Sequence, residues 1–401
     1  MSGITAIGTT FNEPNYHGEL IALTPTDTPL LSAAGGVSGG GQVTDTTIEW
    51  QTYDLRDPEI NPALEGADAP SAEARVRANV TNRVQIFHKT VGTTYTKQAA
   101  INQYGSAYGG SGANPVTDEH SWQIMQELKQ LARDVNFSFW NAVRHDPSDN
   151  TTARQMAGLL SVISSNAQEK SAKTTGASSA TDTITPAAAH SLAANDKVVF
   201  TDVGDMTNVV VGRAYWVKSV STTVSFKISA TKGGTAITVG TSTSDIDFYP
   251  LDATDSVVGT DDVNLLLQSV YDNGGISEQG TATLFVPSGQ KRQLTKAFRD
   301  ESDGTAMLGG TRNVGGVSVD TIITDFGTLG VAIDRALPQD AIAVVSVEQL
   351  QPVFLNTPGK GVLFEEALAK TGSTDKTQIY GEIGLKYGNE ASHGVLRGLF
   401  A

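Results

Sequence analysis

The stretch from Thr117 to His145 constrains this chain more than any other. Ile124, Leu128, Leu131, Val135, Phe139 and Ala142 recur at steps of four, three, four, four and three. That spacing keeps them on one side of a helix with 3.6 residues per turn. Gln126, Lys129, Gln130, Arg133 and Asn136 fall on the opposite side. Thr117 is placed to cap the start, and Asp118 and Glu119 suit the positive end of the helix dipole. Arg144 and His145 fall in the predicted last turn, and Asp146-Pro147 stops it. At about 1.5 Å per residue such a helix runs roughly 43 Å, far beyond an average globular helix. Phe137 and Trp140 put apolar groups on the polar side near its end, so that end is expected to be covered from both directions. The stretch is either a core helix with one wet face or a strut on which a flat, many-contact subunit hangs. The flanking segments decide between them.

The chain has 401 residues, two or three domains' worth of material. The 41 glycines, with abundant Thr, Ser and Val, point to much strand and loop. Absence of cysteine rules out disulfides, a thiolate zinc site and a cysteine nucleophile. With 43 acidic against 28 basic residues the formal charge is -15. Such a chain is poorly suited to gripping phosphates, which needs Lys and Arg, yet it can enclose DNA without adhering to it. The first residues lack the basic start and apolar core of a signal peptide. No apolar run approaches membrane-spanning length.

Residues 1 to 16 read as a tail or extended arm. Between Gly18 and Leu31 a short apolar segment and a Pro-bounded turn lead to a turn of helix that Thr28 caps and Pro29 opens. Gly35, Gly36, Gly39, Gly40 and Gly41 read as a flexible joint. A phosphate loop would need Gly-x-x-x-x-Gly-Lys-Ser/Thr before a helix, and here no Lys follows and a strand comes next. Thr46 to Tyr53 alternates as a strand, with Ile48 and Trp50 on one face. Val80 to Lys97 reads as a second, longer strand region, with Val84, Ile86 and His88 on one face. The intervening Asp54 to Asn79 has no period. A loop so long is at odds with a compact domain unless a neighbouring subunit orders it. Asp54, Asp57, Glu59, Glu65, Asp68 and Glu73 dominate its outward half, and Arg75, Arg77, Arg83, Lys89 and Lys97 its return. These are either charges on a solvated loop or an arm that docks on complementary charge next door, which fixes orientation more than it adds affinity.

Five runs in order carry a resemblance: Leu23 to Pro29 (LTPTDTP), Glu49 to Arg56 (EWQTYDLR), Glu65 to Pro70 (EGADAP), Arg77 to Asn82 (RANVTN) and Tyr95 to Ala100 (YTKQAA). Together they resemble the major capsid proteins of a tailed-phage family with the Hong Kong 97-type fold, which encapsulin shells share. The resemblance covers most of the chain outside residues 171–256. It implies an α+β capsid subunit: N-terminal arm (residues 1–45), extended β-hairpin loop (46–97), spine helix with part of a peripheral domain (98–170), axial domain (257–360) and a return to the peripheral domain (361–401). It implies self-assembly into hexamers and pentamers of an icosahedral shell enclosing double-stranded DNA. Portal, scaffolding and decoration proteins are the further partners, with the virion as destination and the host cytoplasm as place of assembly. Inter-subunit contacts are expected at Asp57, Glu59, Glu65, Asp68, Arg75, Arg77 and Arg83. Some capsids of this fold crosslink a loop Lys to a neighbour's Asn. Between Arg56 and Arg77 there is no Lys, so non-covalent adhesion is expected. No long, charged helical prodomain is visible, so either a separate protein scaffolds assembly or a prodomain was removed before residue 1.

Residues 171–256 shift to Thr, Ser and Val and read as an inserted all-β domain. Lys197 to Phe200, Tyr215 to Val220, Val224 to Ser229 and Ala236 to Val239 are the predicted strands. Thr174 to Ala180 and Ala253 to Ser256 read as linkers. Projection from the outer surface is what the resemblance implies for such an insert. Beyond it, Asp261 to Tyr271 reads as a helix ending at Asn273-Gly274-Gly275. Thr283 to Pro287 is a buried strand and Ser288 to Arg299 a helix. Val317 to Asp325, Thr328 to Ile333 and Ala341 to Ser346 are strands, and Gly361 to Leu368 and Gln378 to Tyr387 return as β.

Catalytic signals do not accumulate. His17, His88, His120, His145, His190 and His393 show no metal-ligand spacing and no His-Glu-x-x-His. There is no Gly-x-Ser-x-Gly elbow. Asp300 to Gly304 lacks the ligand order and closing Glu of a calcium loop. No catalytic residue, metal or cofactor is expected. The alternative to a shell protein is a phage tail or fibre protein whose β domain binds the host, which would have no reason for this order of arm, loop and helix.

Overall fold

The computed structural model describes residues 23–36, 40–69, 71, 73–99, 116, 118–149, 151–221, 224–252, 255–276, 282–301, 308–314, 317–370 and 372–400. The chain opens with α1 (Pro29–Ala33), β1 (Gly41–Val43), β2 (Thr47–Tyr53), β3 (Arg77–Arg83), β4 (Gln85–Thr94) and α2 (Tyr95–Ala99). The long helix α3 (Glu119–Asn141), a single turn α4 (Leu159–Val162) and β5 (Ala167–Glu169) follow. Next come β6 (Thr174–Ala180), β7 (Thr183–Thr185), β8 (Lys197–Val203), β9 (Ala214–Ser221), β10 (Ser225–Ser229) and β11 (Ser242–Leu251). The last third holds α5 (Thr260–Asp272), β12 (Ala282–Val286), α6 (Ser288–Glu301), β13 (Leu308–Val314), β14 (Val317–Thr324), β15 (Gly327–Ile333) and β16 (Ile342–Ser346). β17 (Gln351–Leu355), β18 (Leu363–Ala367), β19 (Thr374–Lys386) and β20 (Gly394–Arg397) complete it. Two compact units share these elements. The larger takes residues 27–86, 132–362 and 381–401, the smaller residues 87–131, 363–380 and the described residues before Asp27.

The larger unit is centred on a mixed seven-stranded sheet in the order β13-β14-β15-β12-β16-β20-β5. β12 is parallel to β15 and antiparallel to β16, and the C-terminal β20 is parallel to β5. Every residue of β16 is buried, as expected of a strand covered on both faces. On one face Val263, Leu266, Leu267 and Val270 of α5 and Leu294 of α6 pack on Leu284, Val286, Val331 and Val344. On the other, Trp140 of α3 meets Phe285 edge-on at 5.4 Å. Asp262 at the start of α5 accepts from Gly259 N, which satisfies one of the helix's orphan amides.

The segment 174–251 closes into a six-stranded barrel, β10-β7-β6-β11-β8-β9. Its core is Ile184, Val198, Phe200, Val217, Phe226, Ile228, Ile246 and Phe248. Two sequence expectations change here. Thr174–Ala180, read as a linker, is a barrel strand whose small Ala177 and Ser179 point inward. Ala236 to Val239 is not a strand. Ile237 N donates to Ile228 O, Val239 N to Thr181 O, and Val239 O accepts from Thr207 N, so its backbone partners lie in three different segments.

β2 and β3 pair antiparallel from Thr47↔Arg83 to Tyr53↔Arg77. The second strand region is not one strand. It breaks at Val84, and in β4 the inward residues are Phe87, Val91 and Thr93 while Ile86 and His88 face out. It also ends at Thr94, where α2 takes over. Gly41, read as part of a flexible joint, lies in β1, parallel to β17. Pro29 opens α1 as expected, but the Thr28 side chain makes no cap bond.

In the smaller unit β4 and β18 both pair with β19. His120 of α3 lies between Thr93 Oγ1 at 2.9 Å and Thr377 Oγ1 at 2.8 Å, joining α3 to β4 and β19. The α3 start is capped by Asp118, whose carboxylate accepts from His120 N and Ser121 Oγ. Thr117 lies outside the described residues.

α3 ends at Asn141, before the predicted Arg144 and His145. The carbonyl of Ala142 accepts from Gly158 N and Ser161 Oγ, so the α4 segment takes over where the next turn would be. A Cβ at Gly158 would stand 2.7 Å from Ser138 O. Leu131, Val135, Phe139 and Ala142 are buried as predicted, but Phe137 is exposed and Asn136, assigned to the wet face, is buried. The expected joint at Gly39, the N-terminal 1–22 and the turn at Ser302 to Gly304 lie outside the described residues.

Candidate assembly surfaces

The described residues of the hairpin connection, within 54–76, show no regular secondary structure beyond one turn at Glu65-Gly66, and they are exposed. Leu55, Ile60, Leu64 and Val76 are 67%, 96%, 85% and 82% exposed. Apolar side chains so open are a liability in a free chain and a resource in an interface. Glu73 sits between Arg56, at 3.6 Å, and Arg75, at 2.9 Å, and Arg56 also meets Glu59 at 2.7 Å. The Arg56–Glu73 pair ties the outgoing limb of the loop to its return. The carboxylates of Asp57, Glu65 and Asp68 are exposed and take part in no such pair among the described residues. Arg77 donates to Gln51 Oε1 across the hairpin. Of the seven predicted residues, Asp57, Glu59, Glu65, Asp68, Arg75 and Arg77 are therefore exposed on the loop or its edge. Arg83 is not with them. It lies at the hairpin root, where its Nε donates to Asp146 at 2.5 Å and its Nη1 to Thr47 Oγ1 at 2.8 Å.

The root is as fixed as the loop is open. Asn82 is fully buried. Its Nδ2 donates to Ala157 O and Leu385 O, and its Oδ1 accepts from Ala157 N and Arg83 N. All the hydrogen-bonding capacity of the amide is used. Trp50 Nε1 donates to Gly388 O at 2.8 Å, with the ring edge-on to Tyr387 at 4.8 Å. Asp146 accepts from both Arg83 and Arg144. Burial raises its pKa, but bonds from Arg83 and Arg144 outweigh this and hold the carboxyl below its usual range.

A second buried centre joins the N-terminal turn, the helix and the sheet. Asp334, just after β15, accepts from Trp140 Nε1 at 2.9 Å, Asn136 Nδ2 at 3.2 Å and Ala336 N at 2.8 Å. Asn136 Oδ1 accepts from Leu31 N. Desolvation still pushes the Asp334 carboxyl up. The sequence reading missed this centre. The available signal was Trp140, a buried indole that needs an acceptor.

The barrel is seated at several points. Tyr249 donates to Glu169 at 2.7 Å, and the Arg397 guanidinium lies 5.0 Å from its ring while pairing with buried Asp340. Gln339 N donates to Gly212 O, and Ala214 N to Gln339 Oε1. Among the described residues no three His, Asp or Glu side chains are arranged to hold a metal. No helix among them is long and apolar enough to cross a membrane.

Arm turn, exposed hairpin loop, long helix and mixed sheet with helices are the parts of a Hong Kong 97-type capsid subunit. One solved capsid shares the fold, and two further shell structures are similar at lower scores. The asymmetric unit of the cyanophage A-1(L) capsid superposes with a TM-score of 0.51 over 98% of each chain at 9% identity. The capsid of a native GTA particle matches 100% of this chain and 99% of its own at TM-score 0.47 and 12% identity. The holo-SrpI encapsulin complex of Synechococcus elongatus PCC 7942 matches 89% and 84% at TM-score 0.45 and 8% identity. No curated protein matches the sequence.

The family model for the SU10 major capsid protein matches residues 3–400, and the chain belongs to that family. It is a tailed-phage major capsid protein, a structural and non-enzymatic component that associates with itself to form the virion shell.

Proposed function

We propose that the subunits close as hexamers and pentamers around double-stranded DNA, and that the hairpin loop is the clasp between neighbours. The observation that carries this is the exposed loop itself, whose Leu55, Ile60 and Leu64 are left bare on a rigid root. Asp57, Glu59, Glu65, Asp68, Arg75 and Arg77 set the orientation of docking, and apolar burial supplies the adhesion. Arg83 anchors the root and presents its charge there. Each contact is modest, but a ring makes many at once. The loop tip has no Lys, so adhesion is non-covalent. In this reading residues 1–45 are the arm, 46–97 the loop, 98–170 the spine helix with part of the peripheral domain, 171–256 an outward-projecting insert, 257–360 the axial domain and 361–401 the peripheral return. Assembly takes place in the host cytoplasm with a portal and a scaffolding protein, and the insert or the outer face carries any decoration protein.

Deleting Asp57 to Arg77 tests the clasp. The variant is expected to keep a native circular dichroism spectrum and to sediment as small species, with no closed particles in negative stain. Normal shells from the variant would sink the loop reading.

A further inference from the structure

Asn82 holds the hairpin root at one point, and one point fixes a position but not an angle. Its buried amide bonds Ala157 and Leu385 from one face of β3. Successive side chains of a strand alternate, so Thr81 and Arg83 lie on the other face. Both are held there by the segment that follows α3. Arg144 Nη1 donates to Thr81 O at 2.8 Å and to Thr81 Oγ1 at 2.9 Å. Asp146 accepts from Arg83 Nε at 2.5 Å on one oxygen and from Arg144 Nε at 2.7 Å on the other. Arg144 and Asp146 thus form a bracket that grips β3 on either side of Asn82. Arg83 carries the grip across to β2 through Thr47 Oγ1, 2.8 Å from its Nη1. The bracket has a stiff base, because His145 and Gln155 exchange two backbone bonds of 3.1 Å.

Stability is a poor explanation for this arrangement. The Arg83, Arg144 and Asp146 side chains are 29%, 36% and 36% exposed, and ion pairs so open add little to a fold. What they constrain is direction. β2 runs from Thr47 to Tyr53, roughly 20 Å at about 3.4 Å per residue. A tilt of about 10° at its base moves its end by roughly 3.5 Å, comparable with the whole reach of an apolar contact, about 4.0–4.5 Å. The loop beyond Tyr53 enlarges the displacement.

We propose that Asp146 is the positioning residue of the hairpin: by joining Arg83 to Arg144 it fixes the angle at which the loop leaves the core, and with it the contact that the loop reaches on a second copy of the chain. The second half rests on the clasp reading, and the first stands without it. Asp146→Asn breaks the bracket selectively. An amide keeps one acceptor oxygen and turns an NH2 group toward the other guanidinium, which has nothing to accept with.

The chain has no cysteine, so Tyr53→Cys at the end of β2 and Leu265→Cys on α5, both exposed, take up two nitroxide labels at known places. Double electron–electron resonance on the full-length unassembled chain is expected to give one narrow distance. Asp146→Asn is expected to at least double its width, while the circular dichroism spectrum is kept and the thermal midpoint stays within about 3 °C of wild type. Asp149→Asn, whose carboxylate bonds Thr151 instead, leaves the width unchanged. In negative stain Asp146→Asn is expected to give closed particles of mixed diameter, against one diameter for wild type. A wild-type distance already broad, an unchanged width in Asp146→Asn, or equal broadening in Asp149→Asn would overturn the proposal. A broadened distance with particles of wild-type size would overturn its second half alone. The deletion of Asp57 to Arg77 then separates the causes: if that variant also assembles normally, the clasp reading is what failed.

Discussion

Single side chains here do work that their residue type does not announce. His393 is buried; its Nε2 donates to Tyr387 O at 2.8 Å and its Nδ1 accepts from Ser346 N at 3.3 Å. That pair of bonds fits one neutral tautomer. Burial lowers its pKa, outweighing the bond it donates to the Tyr387 carbonyl and the charge of Glu390. The folded state therefore binds the proton less readily than the unfolded one. The stability from the neutral ring is present above the unfolded value of about 6.5 and is lost as pH falls from there toward the depressed folded value. Urea unfolding of the unassembled subunit is expected to show a falling midpoint from about pH 7 to pH 5, with a flatter slope for His393→Gln. An unchanged slope would remove His393 as the cause. Asn136 shows the limit of reading a residue from its helix position. Periodicity assigns it to solvent, and only the approach of Leu31 and Asp334 explains why an amide is buried there.

At the scale of elements, amphipathic period carried far. α5, α6 and the buried half of α3 follow from the spacing of their apolar residues. Strands were less legible. Val80 to Lys97 is uniformly β-prone, and nothing local marks Val84 as the point where one pairing ends and another begins. Thr174–Ala180 looks like a linker because its inward residues, Ala177 and Ser179, are small enough to meet large aromatics elsewhere in the barrel. Strand packing is tight at the hairpin root. A Cβ at Gly384 in β19 would lie 2.6 Å from Ile48 Cδ1 and 3.0 Å from Arg83 O, whereas one at Gly92 in β4 would first meet Lys376 Cγ at 3.6 Å. Gly384→Val is expected to cost about 1–3 kcal/mol through overpacking and to increase protease cleavage in the hairpin. Gly92→Ala is expected to stay within about 0.5 kcal/mol of wild type. Equal stability of the two variants would show that β2 does not seat on β19 in this way.

At the scale of the whole molecule, charge and contact surface separate two tasks. A net charge of -15 disfavours phosphate contacts along DNA. The unassembled subunit is expected to leave double-stranded DNA unshifted in a gel at about 0.15 M salt, where screening confines any attraction to within roughly 8 Å. A shift would reveal a basic surface that binds the genome directly. In the proposed reading, shell building rests instead on the loop. Its exposure and mixed charge follow from the residues alone, because a period-free stretch of that length has no apolar face to pack in a small core. The long helix, the acid balance, the loop and the order of parts are likewise written along the chain, since each depends on residues near one another. Folding in three dimensions settled the rest: where α3 stops, which face of β4 turns inward, and how Asn82 and Asp334 are satisfied. Those outcomes depend on partners far away in sequence, and no local pattern encodes which distant donor, acceptor or charge will arrive.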